Sequence, residues 1–521
     1  MKNLKYLLGI LFLASVSTSC QNFLDTKPED SLSPEYYYST EKQMDAALAG
    51  VYDVLGDDNL YGNKIFTTLG APSDLSYYRR NNISTGTQVL NFDASDSDIR
   101  GMWRTLYTGI NRANMVLENI DKPQLTDAKR AQVKGEALFL RGYYHFLLVS
   151  NWGDVPLVLT SKVDLDKTNI ARTPMKDVYA QILKDMEEAE PLVKGIREIG
   201  FGGRVSKSAV RGILARVNLY MAGEPLKDVS RYPEVVKWAN AVKNDATAAH
   251  KLNPSYSDIF IRYASDKYDI NESIWEVEFW GNRIGNAYQE AGRVGNTNGV
   301  QCGDLTEGYA YGFIGVTPKL YNLYEAADTR RDWAVAPFSY KGQTSEKVDW
   351  KPADIYQRMA GKFRREYEAI EKQKNFTPEN FPLLRYADVL LMLAEAQNAI
   401  AFDPSPTGVA NTALNAVRQR AGASLYAGAN AITSQADFLK AIQDERAREL
   451  CFEGLRINDL KRWGLYLFAI RQAASYIKAN APATFKYAAL AGDNASERHL
   501  LYPVPVREMA LNPLLTQNKN W

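Results

Sequence analysis

Three cysteines and three histidines in 521 residues leave little for metal or disulfide chemistry. A structural or catalytic zinc site needs several His or Cys ligands, and a disulfide framework needs a far denser cysteine pattern. No Gly-x-Ser-x-Gly elbow, His-Glu-x-x-His helix or Gly-x-x-x-x-Gly-Lys phosphate loop occurs. The nucleophile, metal and phosphate frames that those motifs build are therefore missing. Gly200-Phe-Gly202-Gly203 lacks the remaining spacing of a dinucleotide fingerprint. Lys plus Arg number 62 against 61 Asp plus Glu, so no polyanion-binding surface covers the whole molecule, and nucleic acid is not an expected partner. Beyond residue 16 no apolar run approaches the ~20 residues that a membrane-spanning helix needs. What the chain does have is 45% apolar and 24% charged residues, the profile of a globular protein with a large core, and a high aromatic content of 11%.

The first twenty residues read as an address. Lys2 and Lys5 precede an apolar run from Tyr6 to Val16, which is short for a span and suited to a secretory signal. Ser17, Thr18 and Ser19 then lead to Cys20. This resembles a bacterial lipoprotein signal, with cleavage before Cys20 and lipidation of that residue, although Ser17 stands where Leu is usual. Residues 1–19 are thus expected as signal peptide. Residues 20–40, polar and Pro-containing, are expected as the lipidated N-terminus and a tether holding the body off the membrane.

The rest reads mostly helical. Apolar residues at three- and four-residue spacing mark 43–55, 101–120, 127–150, 175–192 and 206–221, with a shorter helix at 233–242. A second block follows at 382–400, 409–421, 435–453 and 458–479. Thr126 and Ser206 are suited to N-caps. The helices fall into pairs with small residues on their faces, in the manner of degenerate tetratricopeptide stacking without a clean period.

Between residues 251 and 350 the helical pattern fades. Ser273–Trp280 alternates like a strand. Nine glycines fall between Gly281 and Gly315 against 34 in the whole chain, and 17 aromatics lie between Tyr256 and Trp350. So many rings in Gly-rich loops cannot all be core residues of regular elements, and loops on a rigid scaffold are where binding sites concentrate. Glu276 and Glu278 share one face of the expected strand, about 6.5–7 Å apart by the strand rise. A glycosidase could use that separation, but its carboxylates must flank the scissile bond from two sides. The alternative is a polar strand face paired with arginines. His145, among Tyr143, Tyr144 and Phe146, and Trp103 on a helix suit the core better than a site. No Asp-x-Asp-x-Asp-Gly calcium loop occurs. Asp93, Asp96 and Asp98 form a weak acidic cluster, so no cofactor is expected and a structural calcium stays unassigned.

Several long segments carry a family likeness. They are Phe23-Leu24-Asp25 after Cys20, LRGYYHFLLVSNWGDVPL from Leu140, GRVSKSAVRGILARVNLYMA from Gly203, FPLLRYADVLLMLAEA from Phe381, ERARELCFEGLRINDLKRWG from Glu445 and LYPVPVREMALNPLLTQNKNW from Leu501. In this order they resemble the SusD/RagB family, the surface nutrient-binding lipoproteins of Bacteroidetes. The resemblance implies a mostly α-helical SusD-like fold: tetratricopeptide-like helix pairs as scaffold, with irregular loops and a few short strands carrying the ligand site. It implies one domain over 41–521, with an N-terminal part to about 250 and a C-terminal part from about 251. It also implies a non-catalytic, lipid-anchored protein of the outer membrane, facing outward, that binds a glycan and delivers it to a SusC-like TonB-dependent transporter. The alternative is a peptide ligand, as in the RagB branch. Sugars offer flat C–H faces to aromatic rings and hydroxyl edges to planar polar groups. The segment LGAPSDLSYYRR resembles a family stretch that contacts sugar, which points to Asp74 and Arg80, with Tyr77 and Tyr78 between them. From the Gly-rich segment the expected ligand aromatics are Trp280, Tyr288, Tyr309 and Tyr311. The dense opposite charges of ERARELCFEGLRINDLKRWG read as ion-pair networks rather than an anion site.

Overall fold

A computed structural model describes residues 37–162, 169–283 and 291–521. Cys20 and Tyr288 lie outside the described residues.

Among the described residues four helix pairs stack in chain order: Glu41–Asp53 with Ser97–Asn119, Asp127–Trp152 with Met175–Ala189, Lys207–Ala222 with Tyr232–Lys243, and Tyr386–Ile400 with Val409–Arg420. Each pair packs on the next, and Gln435–Leu450 closes over Tyr386–Ile400. The starts are set by side chains. Asp96 accepts from the amides of Asp98 and Ile99, Thr126 from that of Lys129, and Ser206 from that of Ala209. Each satisfies amides that a helix start leaves open. Ser97–Asn119 buries Ile99, Met102, Trp103, Leu106, Ile110 and Ala113, one face at helical spacing. Asp127–Trp152 is buried almost all round from Val133 onward, because helices cover it on both sides. The C-terminal segment seals this end: Asn518 donates to the carbonyls of Trp152 and Tyr502 at 2.8 and 2.7 Å. No helix among the described residues is long and apolar enough to cross a membrane.

Three boundaries differ from the periodicity reading. Phe381–Arg385 is a strand, and the helix starts at Tyr386. Pro382 lacks an amide for a helix interior, and this short apolar run instead pairs antiparallel with the bulged strand Ser273–Val277. The expected 458–479 helix is two, Arg456–Arg462 and Tyr466–Asn480, broken at Gly464 with φ of 69°. A helix at Tyr256–Ala264, capped by Ser255, falls where helical periodicity had faded.

The charged motif forms buried networks. Arg385 donates to Glu272, Glu449 and Glu453 at 2.7–2.9 Å. Arg420 and Arg330 also reach Glu449, at 2.5 and 3.0 Å. A second cluster joins three helices: Asp388 accepts from Arg216 and Arg446, both at 2.6 Å. Burial alone would raise the Asp388 pKa, but Arg446 and Arg216 outweigh it and hold it at about 2. Glu445 is likewise held at about 2 against burial, by Arg330, Arg448 and Arg418. A carboxylate whose folded pKa lies below its unfolded value stabilises the fold above pH ~4, and that stabilisation is lost as the pH falls towards ~2. Acid titration followed by circular dichroism is therefore expected to show unfolding between about pH 4 and 2, with stability level from about pH 5 to 7 as far as these groups contribute.

Candidate functional site

Two loop regions that are far apart in sequence meet through one short ladder. Ser76–Tyr78 pairs antiparallel with Ile314–Val316, matching Tyr77 to Gly315 and Tyr78 to Ile314. The Arg79 amide extends the ladder to the Phe313 carbonyl at 2.7 Å. Gly315 is required at this crossing, since a Cβ there would lie 2.3 Å from the Tyr77 ring. The Gly-rich loop in turn rests on the buried turn Val294–Thr297. Amides of Tyr311 and Phe313 donate to the carbonyls of Asn296 and Thr297, and Asn296 donates its side-chain amide to the Tyr309 carbonyl.

The ladder lines up four half-buried rings. Tyr78 stacks on Phe313 at 5.3 Å between centroids, and Phe313 stacks on Tyr311 at 5.4 Å and 7°. Tyr309 meets Tyr311 edge-on at 5.2 Å. Gly312, at φ of 58°, makes the bend between Tyr311 and Phe313 and approaches Gln301 too closely for a Cβ. Tyr311 is fixed at its far end by donating its hydroxyl to Asn375 at 2.9 Å. The Arg80 guanidinium lies 4.5 Å over the Phe313 ring and donates to the carbonyls of Arg79 and Tyr311. Beside the arc opens a groove of about 350 Å³, bordered by Arg79, Tyr309, Tyr311, Tyr340, Gln343 and Trp350. Flat ring faces next to amide and indole donors suit a ligand with apolar faces and hydroxyl edges.

Of the residues expected from sequence, the structure brings Tyr78, Arg80, Tyr309 and Tyr311 together. Asp74 is corrected: it is fully buried, with Arg456 donating to both carboxylate oxygens at 2.9 and 2.8 Å and Lys319 adding a contact at 2.5 Å. Burial pushes its pKa up, yet Arg456 and Lys319 bring it down to about 2. It anchors the loop and has no free edge for a ligand. Tyr77 is also corrected, being 3% exposed and donating its hydroxyl to the Tyr356 carbonyl at 2.7 Å. In a strand, neighbours face opposite sides, so Tyr77 goes inward when Tyr78 goes out. Trp280 is 39% exposed, but follows Phe279 at a second cleft of about 610 Å³ away from the arc's own lining. Sequence reasoning missed Tyr340, Trp350 and Gln343 as groove residues. The first two lie in the aromatic-rich stretch, which was the available signal, whereas nothing in the sequence marks Gln343.

The carboxylate pair does not form an acid–base site. Glu276 is 2% exposed, lies against Gly202, and accepts from Ser273 and Asn380 at 2.5 and 3.0 Å. Burial pushes its pKa up to about 7. Only Glu278 reaches solvent, so no scissile bond can sit between the two. The acidic cluster is spent on structure as well: Asp93 accepts from Ser95, Asp96 caps a helix, and Asp98 pairs with Lys64 at 3.1 Å. No group of three or more metal-ligating side chains occurs among the described residues. Cys302 and Cys451 are both buried free thiols.

The chain matches two family models: the SusD family over residues 338–521, and "starch-binding associating with outer membrane" over residues 22–219. It is 25% identical to SusD-like protein P25 of Formosa agariphila, covering 98% of this chain and 97% of that protein. It is 24% identical to the starch-binding protein SusD of Bacteroides thetaiotaomicron, covering 98% and 97%. A solved SusD homologue from Bacteroides thetaiotaomicron superposes with a TM-score of 0.85 at 25% identity, covering 94% of this chain and 98% of that one. The helical scaffold with few short strands, the order of the motifs and these whole-length matches place the chain in the SusD family of non-catalytic binding proteins, which is associated with the outer membrane.

Proposed function

We propose that this protein binds a glycan on the cell surface through the Tyr78–Phe313–Tyr311–Tyr309 arc and hands it to a SusC-like TonB-dependent transporter. The observation that carries the reading is the arc itself: four rings held in line by a backbone ladder, half-exposed, beside a groove. Rings that served only as core packing would be covered, as Tyr77 is. The name of the starch-binding relative and the outer-membrane description of the N-terminal family model support the same assignment.

Binding here is retention before transport. Ring faces cover the apolar faces of successive sugars, and polar groups at the groove fix the hydroxyl edges. The lipid anchor confines the body to the membrane that would hold its transporter, which favours encounter between the two. Modest affinity is then sufficient for transfer. Residues 41–521 act as one body in this reading, with the stacked helix pairs as the frame that positions the loops.

The anchor is tested separately. Cys20→Ala is expected to move the protein from the membrane fraction to the soluble fraction, because in the lipoprotein reading every acyl chain is carried by that one cysteine, and its loss removes the apolar CH₂ groups that hold the protein in the bilayer. Unchanged membrane residence of this variant after fractionation and immunoblotting would contradict the lipoprotein reading.

A further inference from the structure

We infer that the groove selects an anionic glycan, one bearing uronate carboxylates or sulfate esters, over a neutral one. This rests on the reading of the arc as the glycan site. The observation is a local excess of cations without counter-charges. Arg79 and Arg80 are half-buried and Lys374 is exposed, all three against the arc. Among the described residues none of the three forms an ion pair. Arg79 donates to the Gln301 amide oxygen at 2.7 Å, Arg80 to two backbone carbonyls, and Lys374 sits 5.0 Å over the Tyr309 ring. This contrasts with the buried arginines 216, 330, 385, 418, 446 and 462, each of which has one or more carboxylate partners.

The groove lining repeats the pattern. Among the described residues Arg79 is the one charged side chain on that lining, and no carboxylate is among them. Two buried donors on that lining, Arg79 Nε and Trp350 Nε1, have no acceptor among the described residues. The nearby acids stand off the groove lining: Glu366 pairs with Lys347, the single Tyr340 hydroxyl proton lies between Glu366 and Glu307 at 3.0 and 3.1 Å, and Asp304 is turned onto the amide and hydroxyl of Thr306. Buried donors without acceptors are costly, and a guanidinium pairs with a carboxylate or sulfate through a fork that a hydroxyl cannot match. Burial depresses the Arg80 pKa, Tyr78 opposes this, and Arg79 adds to the depression; an anion at this place relieves both cations. The second cleft has the opposite balance, with six carboxyl side chains on its lining, among them Asp53, Asp57 and Asp58, against Arg204 and Arg283.

The test uses the full-length protein in detergent and matched probes: polygalacturonate against its carboxyl-reduced counterpart, and dextran sulfate against dextran, with starch and laminarin as further neutral glycans. Expected is binding of at least one anionic probe about ten-fold or more tighter than its neutral counterpart, weakening as salt rises. The double variant Arg79→Gln/Lys374→Gln is expected to lose most of that preference with an unchanged melting temperature, and Tyr311→Ala to weaken binding of the anionic probe too. Neutral glycans bound as tightly as, or more tightly than, the anionic probes would overturn the inference while leaving the glycan reading intact. So would an anionic preference that survives the double variant, which keeps only Arg80, already tied to two backbone carbonyls and off the groove lining, or one that Tyr311→Ala leaves unchanged, since either places the charge effect away from the groove. Failure of every glycan, charged and neutral, would instead overturn the glycan reading itself and the inference with it.

Discussion

Tyr311→Ala is expected to weaken glycan binding by about ten-fold or more, as removal of a central contact ring commonly costs 1–2 kcal/mol or above. Tyr311 is the centre of the arc: it stacks on Phe313, meets Tyr309 edge-on and is oriented through Asn375. Its loss removes one sugar platform and frees the ring of Tyr309 on one side. The fold should tolerate the change, because Tyr311 is half-exposed and its loop is held by backbone hydrogen bonds that alanine keeps. Calorimetric titration alongside a thermal melt separates the two effects. Tyr311→Phe, which retains the ring and loses only the bond to Asn375, is expected to fall between wild type and alanine. Equal affinity of wild type and alanine variant would remove the arc from the site.

The largest expected loss of stability is at Glu449. Glu449→Ala leaves Arg330, Arg385 and Arg420 with one carboxylate fewer in a fully buried setting. Removing one partner of a buried ion pair commonly costs about 3–5 kcal/mol, because the remaining charge stays desolvated. Arg385 and Arg420 retain Glu272, and Arg330 retains Asp328 and Glu445, so the lower half of that range is expected. The readout is a lower urea midpoint with glycan affinity retained in the folded fraction. Glu276→Gln makes a contrasting control. That carboxyl is pushed up to about 7 by burial, so about half of it is already neutral near neutral pH, and among the described residues it has no arginine partner to strand; an amide of the same shape should cost much less than the loss of Glu449. Equal destabilisation of the two variants would contradict the network account.

The scaffold was legible in the sequence because its signals are local. Helical periodicity over 127–150 and caps such as Thr126 and Ser206 need only a few neighbouring residues to be read, and they stand where expected. The charge pattern of the Glu445–Gly464 motif was legible as networks because acids and arginines alternate too densely to remain solvated. The Gly-rich, aromatic-rich stretch was legible as a loop region for compositional reasons. What was not legible depends on partners far along the chain. Asp74 looks like an available loop carboxylate until Arg456, 382 residues later, is seen to hold it. Phe381–Arg385 becomes a strand only because Ser273–Val277 lies beside it. Tyr77 and Tyr78 are indistinguishable as a dipeptide, and the ladder with Ile314–Val316 decides which one faces out. The unpaired state of Arg79 and Arg80 is likewise a property of the folded neighbourhood, since sequence shows only that the totals of the two charges nearly match.

The most direct test of the central claim is calorimetric titration of the full-length protein in detergent against a panel of oligosaccharides, polysaccharides and peptides, repeated with Tyr309→Ala/Tyr311→Ala. The expected result is binding of at least one glycan and of no peptide, lost or weakened by about ten-fold or more in the double variant with its melting temperature retained. Peptide binding without glycan binding, or glycan binding that the double variant leaves intact, would contradict the account.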